Sequence, residues 1–102
     1  MQQLIQQFNY QKNEDKPFIL ISFQVPWDQD DIRDLITCVF DSIGKGQVIE
    51  HALGADLETV HFRLDNDDYL LNFEVYSQSC WLEVVNQEDS HALLQLYENN
   101  EI

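Results

Sequence analysis

His61 is the side chain best suited to proton chemistry in this 102-residue chain, because it lies in a β-like stretch that sets polar neighbours beside it. An imidazole held by a carboxylate serves as a general base or a metal ligand near neutral pH. With four-residue loops on the hairpins around it, one cross-strand row reads His61, Asn72, Glu83, and a four-residue loop before Glu58 brings Glu50 alongside. A polar cross-strand row is also the ordinary make-up of a solvated sheet face. No Ser or Cys nucleophile falls beside His61. Two acid clusters, Asp28-x-Asp30-Asp31 and Asp65-x-Asp67-Asp68, offer the oxygens that hard cations require. The second lacks the third oxygen ligand, the glycine and the distant glutamate of an EF-hand loop, with Tyr69 and Leu70 standing where the first two are needed. Helix capping and turn formation account for both clusters. The chain has no glycine-rich phosphate loop, CxxC, HExxH or GxSxG motif. No catalytic residue, metal ligand or cofactor is therefore assigned.

The next two rows of the same face read Thr59, Glu74, Trp81 and Arg63, Leu70, Val85, which puts a tryptophan and two aliphatics where water is expected. Either another element of the chain covers them or they form a contact patch. The final helix starts just after Val85, so coverage by the chain's own elements is the expectation. Left open, Leu70, Glu74, Trp81, Glu83 and Val85 form the interface.

These rows depend on three strands between Leu57 and Asn86. Apolar side chains alternate at Val60, Phe62, Leu64, then Tyr69, Leu71, Phe73, Val75, then Cys80, Leu82, Val84, the period of half-buried antiparallel strands. Asp65-Asn66-Asp67-Asp68 and Tyr76-Ser77-Gln78-Ser79 break the pattern with turn-forming residues. Loops of four residues pair Leu64 with Tyr69 and Val75 with Cys80, placing Phe62, Leu71 and Val84 in one row. A one-residue slip would turn a whole apolar set outward.

Upstream, residues 3 to 10 read as a strand, and Phe18 to Val25 as a second with Ile19, Ile21, Phe23 and Val25 buried, ended by Pro26. From Asp28 the period becomes helical, with Ile32, Leu35, Ile36, Val39, Phe40 and Ile43 on one stripe. Asp28 caps this helix and Gly44 closes it. Residues 47 to 53 form a strand whose apolar residues come in pairs, which predicts an edge strand or a bulge; a four-residue loop after it turns His51 toward the core. Asn86 to Asp89 start a final helix that turns Leu93, Leu96 and Tyr97 inward, and the last residues, Asn99 to Ile102, fray. The fold class is α+β: an antiparallel meander sheet with two helices, in the order β-β-α-β-β-β-β-α, forming a single domain over residues 1–102.

A chain of this length buries about 65% of the surface its unfolded form exposes. Hydrophobic content of 44%, with two Trp, four Tyr and six Phe, predicts a folded globule. Nineteen carboxylates against five Lys or Arg give a formal net charge of −14, which disfavours direct binding to nucleic acid or an anionic membrane. A protein partner, basic in the electrostatic case, fits better, and a homodimer fits as well. Met1 to Gln7 has neither a basic start nor an apolar run, and no segment is apolar enough to span a membrane. Cys38 and Cys80 are far apart and read as reduced thiols. A cytoplasmic location follows.

Phe73-Glu74 followed by Tyr76-Ser77-x-Ser79-x-Trp81-Leu82-Glu83 resembles a family of small uncharacterised gamma-proteobacterial proteins known only as a domain of unknown function. The likeness runs from about Ala55 to Tyr97. It implies a bacterial, cytoplasmic, single-domain protein and marks Glu74, Tyr76, Ser77, Trp81 and Glu83 as recurring residues; it carries no chemistry. The leading expectation is a non-enzymatic interaction protein that uses the outer sheet face around Trp81. The alternative is an acidic inhibitor of the immunity-protein or nucleic-acid-mimic type, with Asp30, Asp34 and Asp41 of the first helix engaging a basic partner.

Overall fold

A computed structural model describes residues 4–14, 16–86 and 90–100 of the chain. The strands are β1 (Ile5–Asn13), β2 (Lys16–Phe23), β3 (Gln47–Leu53), β4 (Leu57–Leu64), β5 (Asp67–Glu74) and β6 (Ser79–Val84); the helices are α1 (Ile32–Ile43) and α2 (Ser90–Asn99). The strands form one antiparallel sheet in the order β1-β2-β6-β5-β4-β3, as expected for an α+β domain. Neighbouring strands are consecutive in the chain except β2 and β6, which join the N-terminal hairpin to the meander.

One face of the sheet carries the core. Ile19, Ile21, Val60, Phe62, Leu71, Phe73, Cys80, Leu82 and Val84 are all buried there, against Ile32, Leu35 and Val39 of α1 and Leu93 of α2. Phe62 lies between Phe40 and Tyr69, with ring centroids 4.9 and 5.4 Å away. Both helices are needed on this face. Six strands about 4.8 Å apart span roughly 25 Å, whereas a helix with its side chains is only about 10 Å across.

The helix start works as a two-step cap. Asp28 Oδ1 accepts from the Asp30 backbone N–H at 2.9 Å, and Asp31 Oδ2 accepts from the Asp28 N–H at 3.0 Å, closing a capping box around a 3₁₀ turn, Gln29–Asp31, that feeds α1. At the other end Gly44 takes φ 114°, a backbone conformation that suits glycine, and its N–H donates to the Phe40 carbonyl. Val25, expected on the buried face of β2, lies beyond the end of that strand and is exposed. The expected start of α2 spans residues 86–89, of which 87–89 lie outside the described residues. Its inward residues are as expected: Leu93 is buried, with Leu96 and Tyr97 packed at the margin. Asn100 closes α2, its N–H donating to Tyr97 O and its Nδ2 to Leu96 O; residues 101 and 102 lie outside the described residues.

The register differs from the expected one by two residues in both hairpins. Asp65 and Asn66 alone form the first turn, with φ of 52° and 73°, so Leu64 pairs with Asp67 and Phe62 with Tyr69. Two consecutive positive φ values are the requirement of the tight turn that matches strand twist, and Asp and Asn tolerate them. In the second hairpin Val75 to Gln78 form the turn, so Glu74 pairs with Ser79 and Phe73 with Cys80. A two-residue shift leaves each side chain on its expected face and changes only its neighbours. The edge strand β3 carries the irregularity its paired apolar residues predict, between Val48 and Glu50, and the pairing of Leu53 with Glu58, which leaves Gly54 to Leu57 between them, places His51 opposite Val60.

Candidate functional site

Among the described residues no helix covers the opposite face of the sheet. Its central rows run Thr59, Asn72, Trp81, Leu20 and His61, Leu70, Glu83, with Phe18 at the β2 end of the second by continuation of the β2–β6 register. The polar row His61, Asn72, Glu83 is therefore corrected. His61 faces Leu70, and Asn72 faces Trp81, because the short Asp65-Asn66 turn slides β5 by two positions. Glu74 likewise faces Ser79, and Val85 docks at Asp68, its N–H donating to the Asp68 carbonyl at 2.9 Å. The expected cover over Trp81 is also corrected: α2 returns to the core face, where its Leu93 is fully buried, and leaves Phe18, Leu20, Leu70 and Trp81 half-buried.

A groove of about 610 Å³ runs along this face. Phe18, Leu20 and Trp81 supply its apolar lining, and Glu74, Ser79 and Glu83 its polar margin. Asn72, cross-strand from the indole, is 4% exposed; its Oδ1 accepts from Thr59 Oγ1 at 2.8 Å while its Nδ2 has no partner among the described residues.

Glu50 lies beside His61 as expected, but the carboxylate in contact with the ring is another one. His61 Nε2 lies 3.0 Å from Asp68 Oδ2, while Glu50 is its backbone partner on the edge strand. Arg63 Nε donates to Asp68 Oδ1 at 2.7 Å. The Arg63 guanidinium, and after it the His61 ring, hold the Asp68 carboxyl below its ordinary range, and Asp68 raises the Arg63 pKa in return. Both cysteines are buried in the core, away from this face, and burial pushes the Cys80 thiol well above its usual pKa.

Two arrangements escaped the sequence. His51 Nε2 lies 2.5 Å from Glu58 Oε2, and Glu58 is 9% exposed on the core side of the sheet. The signal was present: Glu58 shares the parity of Val60 and Phe62, a carboxylate in an apolar alternation. The second is Gln78. Its Oε1 accepts from the Trp27 N–H at 2.9 Å, and its Nε2 donates to Trp27 O at 2.7 Å and to Val75 O at 2.9 Å. Trp27 itself packs edge-on against Phe23 and Phe73.

The motif residues divide accordingly. Ser77 Oγ lies 2.8 Å from both Glu74 Oε1 and Ser79 Oγ, which ties the β5–β6 turn together, whereas Tyr76 is 83% exposed on it. The acidic residues of the first-helix region, Asp30, Asp34 and Asp41, are all exposed. Asp28 and Asp31 serve the capping box, Asp65 the turn and Asp68 the arginine pair. Among the described residues no group of three or more His, Cys, Asp or Glu converges on a common point, and no helix is long and apolar enough to cross a membrane.

No curated protein and no solved structure matches this chain. A family model described as "Protein of unknown function (DUF3630)" matches residues 6–99, nearly the whole sheet and both helices. The chain therefore belongs to the DUF3630 family of proteins of unknown function.

Proposed function

We propose that this protein is a non-enzymatic cytosolic interaction module that binds a partner protein through the outer sheet face around Trp81, with Leu70, Glu74, Glu83 and Val85 contributing. The observation that carries this reading is the contiguous set of Phe18, Leu20, Leu70 and Trp81, half-buried in the middle of a sheet whose two helices both lie on the other side. Scattered exposed apolar residues are ordinary, but a tryptophan amid aliphatics in a groove is the composition in which interface energy concentrates. The state of His61 argues in the same direction. Its carboxylate is engaged by Arg63, and no thiol reaches it.

The test is affinity capture from bacterial lysate with wild type, Trp81→Ala, and the pair Asp34→Asn with Asp41→Asn, each at low and high salt. A specific partner that survives moderate salt and is lost on Trp81→Ala supports this reading. A basic partner lost at high salt and on the α1 substitutions, with Trp81→Ala silent, overturns it in favour of the acidic inhibitor. The two surfaces lie on different layers of the molecule, so one substitution does not disturb both.

A further inference from the structure

We propose that the groove beside Trp81 receives an arginine side chain of the partner protein, stacked on the indole and paired with Glu83 and Glu74. This rests on the interface reading above and names what that interface recognises.

The register sets the geometry. Glu83 follows Trp81 by two residues on β6, so both point to the open face about 7 Å apart. Ser79 precedes Trp81 by two, and Glu74 is its cross-strand partner, which puts a carboxylate diagonally on the other side of the indole. All four residues line the same groove. Glu74 is oriented in advance, because Ser77 Oγ engages its Oε1. The Glu83 carboxylate has no hydrogen-bond or ion-pair partner among the described residues. Among the described residues, Glu14 adds a third carboxylate at the groove's end, and Lys16 is the one cation lining it.

An apolar occupant would leave these carboxylates desolvated and unpaired, which is costly. A cation over the indole face gains from the ring quadrupole and from the carboxylates together. Arginine fits better than lysine because its planar, weakly hydrated guanidinium stacks on an aromatic face while its N–H fork reaches a carboxylate at the ring's edge. The net charge of −14 steers such a partner toward the molecule, and the groove supplies the specific contact.

The experiment is a ¹H–¹⁵N NMR titration of the full chain, at physiological salt, with the blocked tripeptide Ac-Ala-Arg-Ala-NH₂ and its lysine and citrulline counterparts. The expected result is a saturable shift of the Trp81 indole N–H and the Leu20 and Glu83 amides, with a dissociation constant on the order of 10 mM. Lysine should bind about five-fold more weakly, and uncharged citrulline should give no saturable shift. Glu83→Gln and Trp81→Leu should each weaken arginine binding about five-fold or more, while Asp34→Asn with Asp41→Asn leaves it unchanged. Dispersed spectra of each variant establish that it is folded. Absence of saturation, equal binding of citrulline, or indifference to Glu83→Gln overturns the proposal. A captured partner lost on Trp81→Ala but retained by Glu74→Gln with Glu83→Gln would refute the arginine site and leave the interface standing; one retained by Trp81→Ala would refute both.

Discussion

Gln78 is the side chain whose removal should cost this fold most for its exposure. It lies at a turn, yet its amide makes three hydrogen bonds: two fasten the segment before α1, fifty-one positions away, to the β5–β6 turn, and the third, to Val75 O, closes that turn. At about 1 kcal/mol net for each bond, Gln78→Ala should destabilise the protein by about 2–3 kcal/mol. For a domain of this size that lowers the thermal midpoint by roughly 10–15 °C. The backbone adds a second handle, because Gln78 has φ 55°, a conformation costing a non-glycine residue about 1 kcal/mol. Gln78→Gly loses the same three bonds but relieves that strain, so it should be about 1 kcal/mol more stable than Gln78→Ala. Urea unfolding followed by circular dichroism and tryptophan emission measures both variants, with unchanged m-values showing that the transition stays comparable. A loss on Gln78→Ala within about 0.5 kcal/mol of zero would refute the clamp. A Gln78→Gly variant no more stable than Gln78→Ala would refute the strain argument alone.

Three further outcomes are expected. Gly46→Ala places a Cβ 2.4 Å from Phe62 Cδ2, and Phe62 is held between two aromatic rings, so urea unfolding should show a loss of about 1–3 kcal/mol. Asp68 has its folded-state pKa lowered from the ordinary 3.8, so its contribution to stability is present above that pH and disappears as the pH falls through the lower folded value. In a carboxyl NMR titration Arg63→Gln should move its midpoint up toward 3.8, and an unmoved midpoint would sink the assignment. The net charge of −14 should make the thermal midpoint rise from low to physiological ionic strength, and a flat or falling midpoint would show the carboxylates to be well spaced or paired.

The order of elements and the faces of β4, β5 and β6 were legible because alternation and helical periodicity are properties of sequence alone, whereas the register shifts in β1 and β3 broke that parity. The neighbour of each residue was not legible. Asp65-Asn66-Asp67-Asp68 serves equally as a two-residue or a four-residue turn by composition, and both choices keep Phe62 and Tyr69 in the core. Only the chain's ability to hold Asp65 and Asn66 at positive φ selects the short turn, and that replaces Asn72 with Leu70 opposite His61. The apolar content of the outer face was also legible at Trp81 and Leu70, but its exposure depends on where α2 packs. The core face takes both helices because one is too narrow for six strands, a requirement of width that residue patterns do not express. Gln78 was unreadable for another reason: its partners are the backbone groups of Trp27, and backbone partners leave no mark on side-chain patterns.

The β2–β6 seam has a consequence for how fast the molecule forms. Every other strand pairing is between chain neighbours, so β1–β2 and the meander from β3 to β6 can each assemble early from local contacts. The seam joins Ile19 to Leu82 and Ile21 to Cys80, partners separated by roughly sixty positions, and the loop-closure entropy must be overcome before any of their contacts form. The folding barrier should therefore be concentrated there. Truncations such as Ile21→Val and Leu82→Ala should slow refolding more than they speed unfolding, whereas substitutions in the edge strand β3 should act mainly on the unfolding rate.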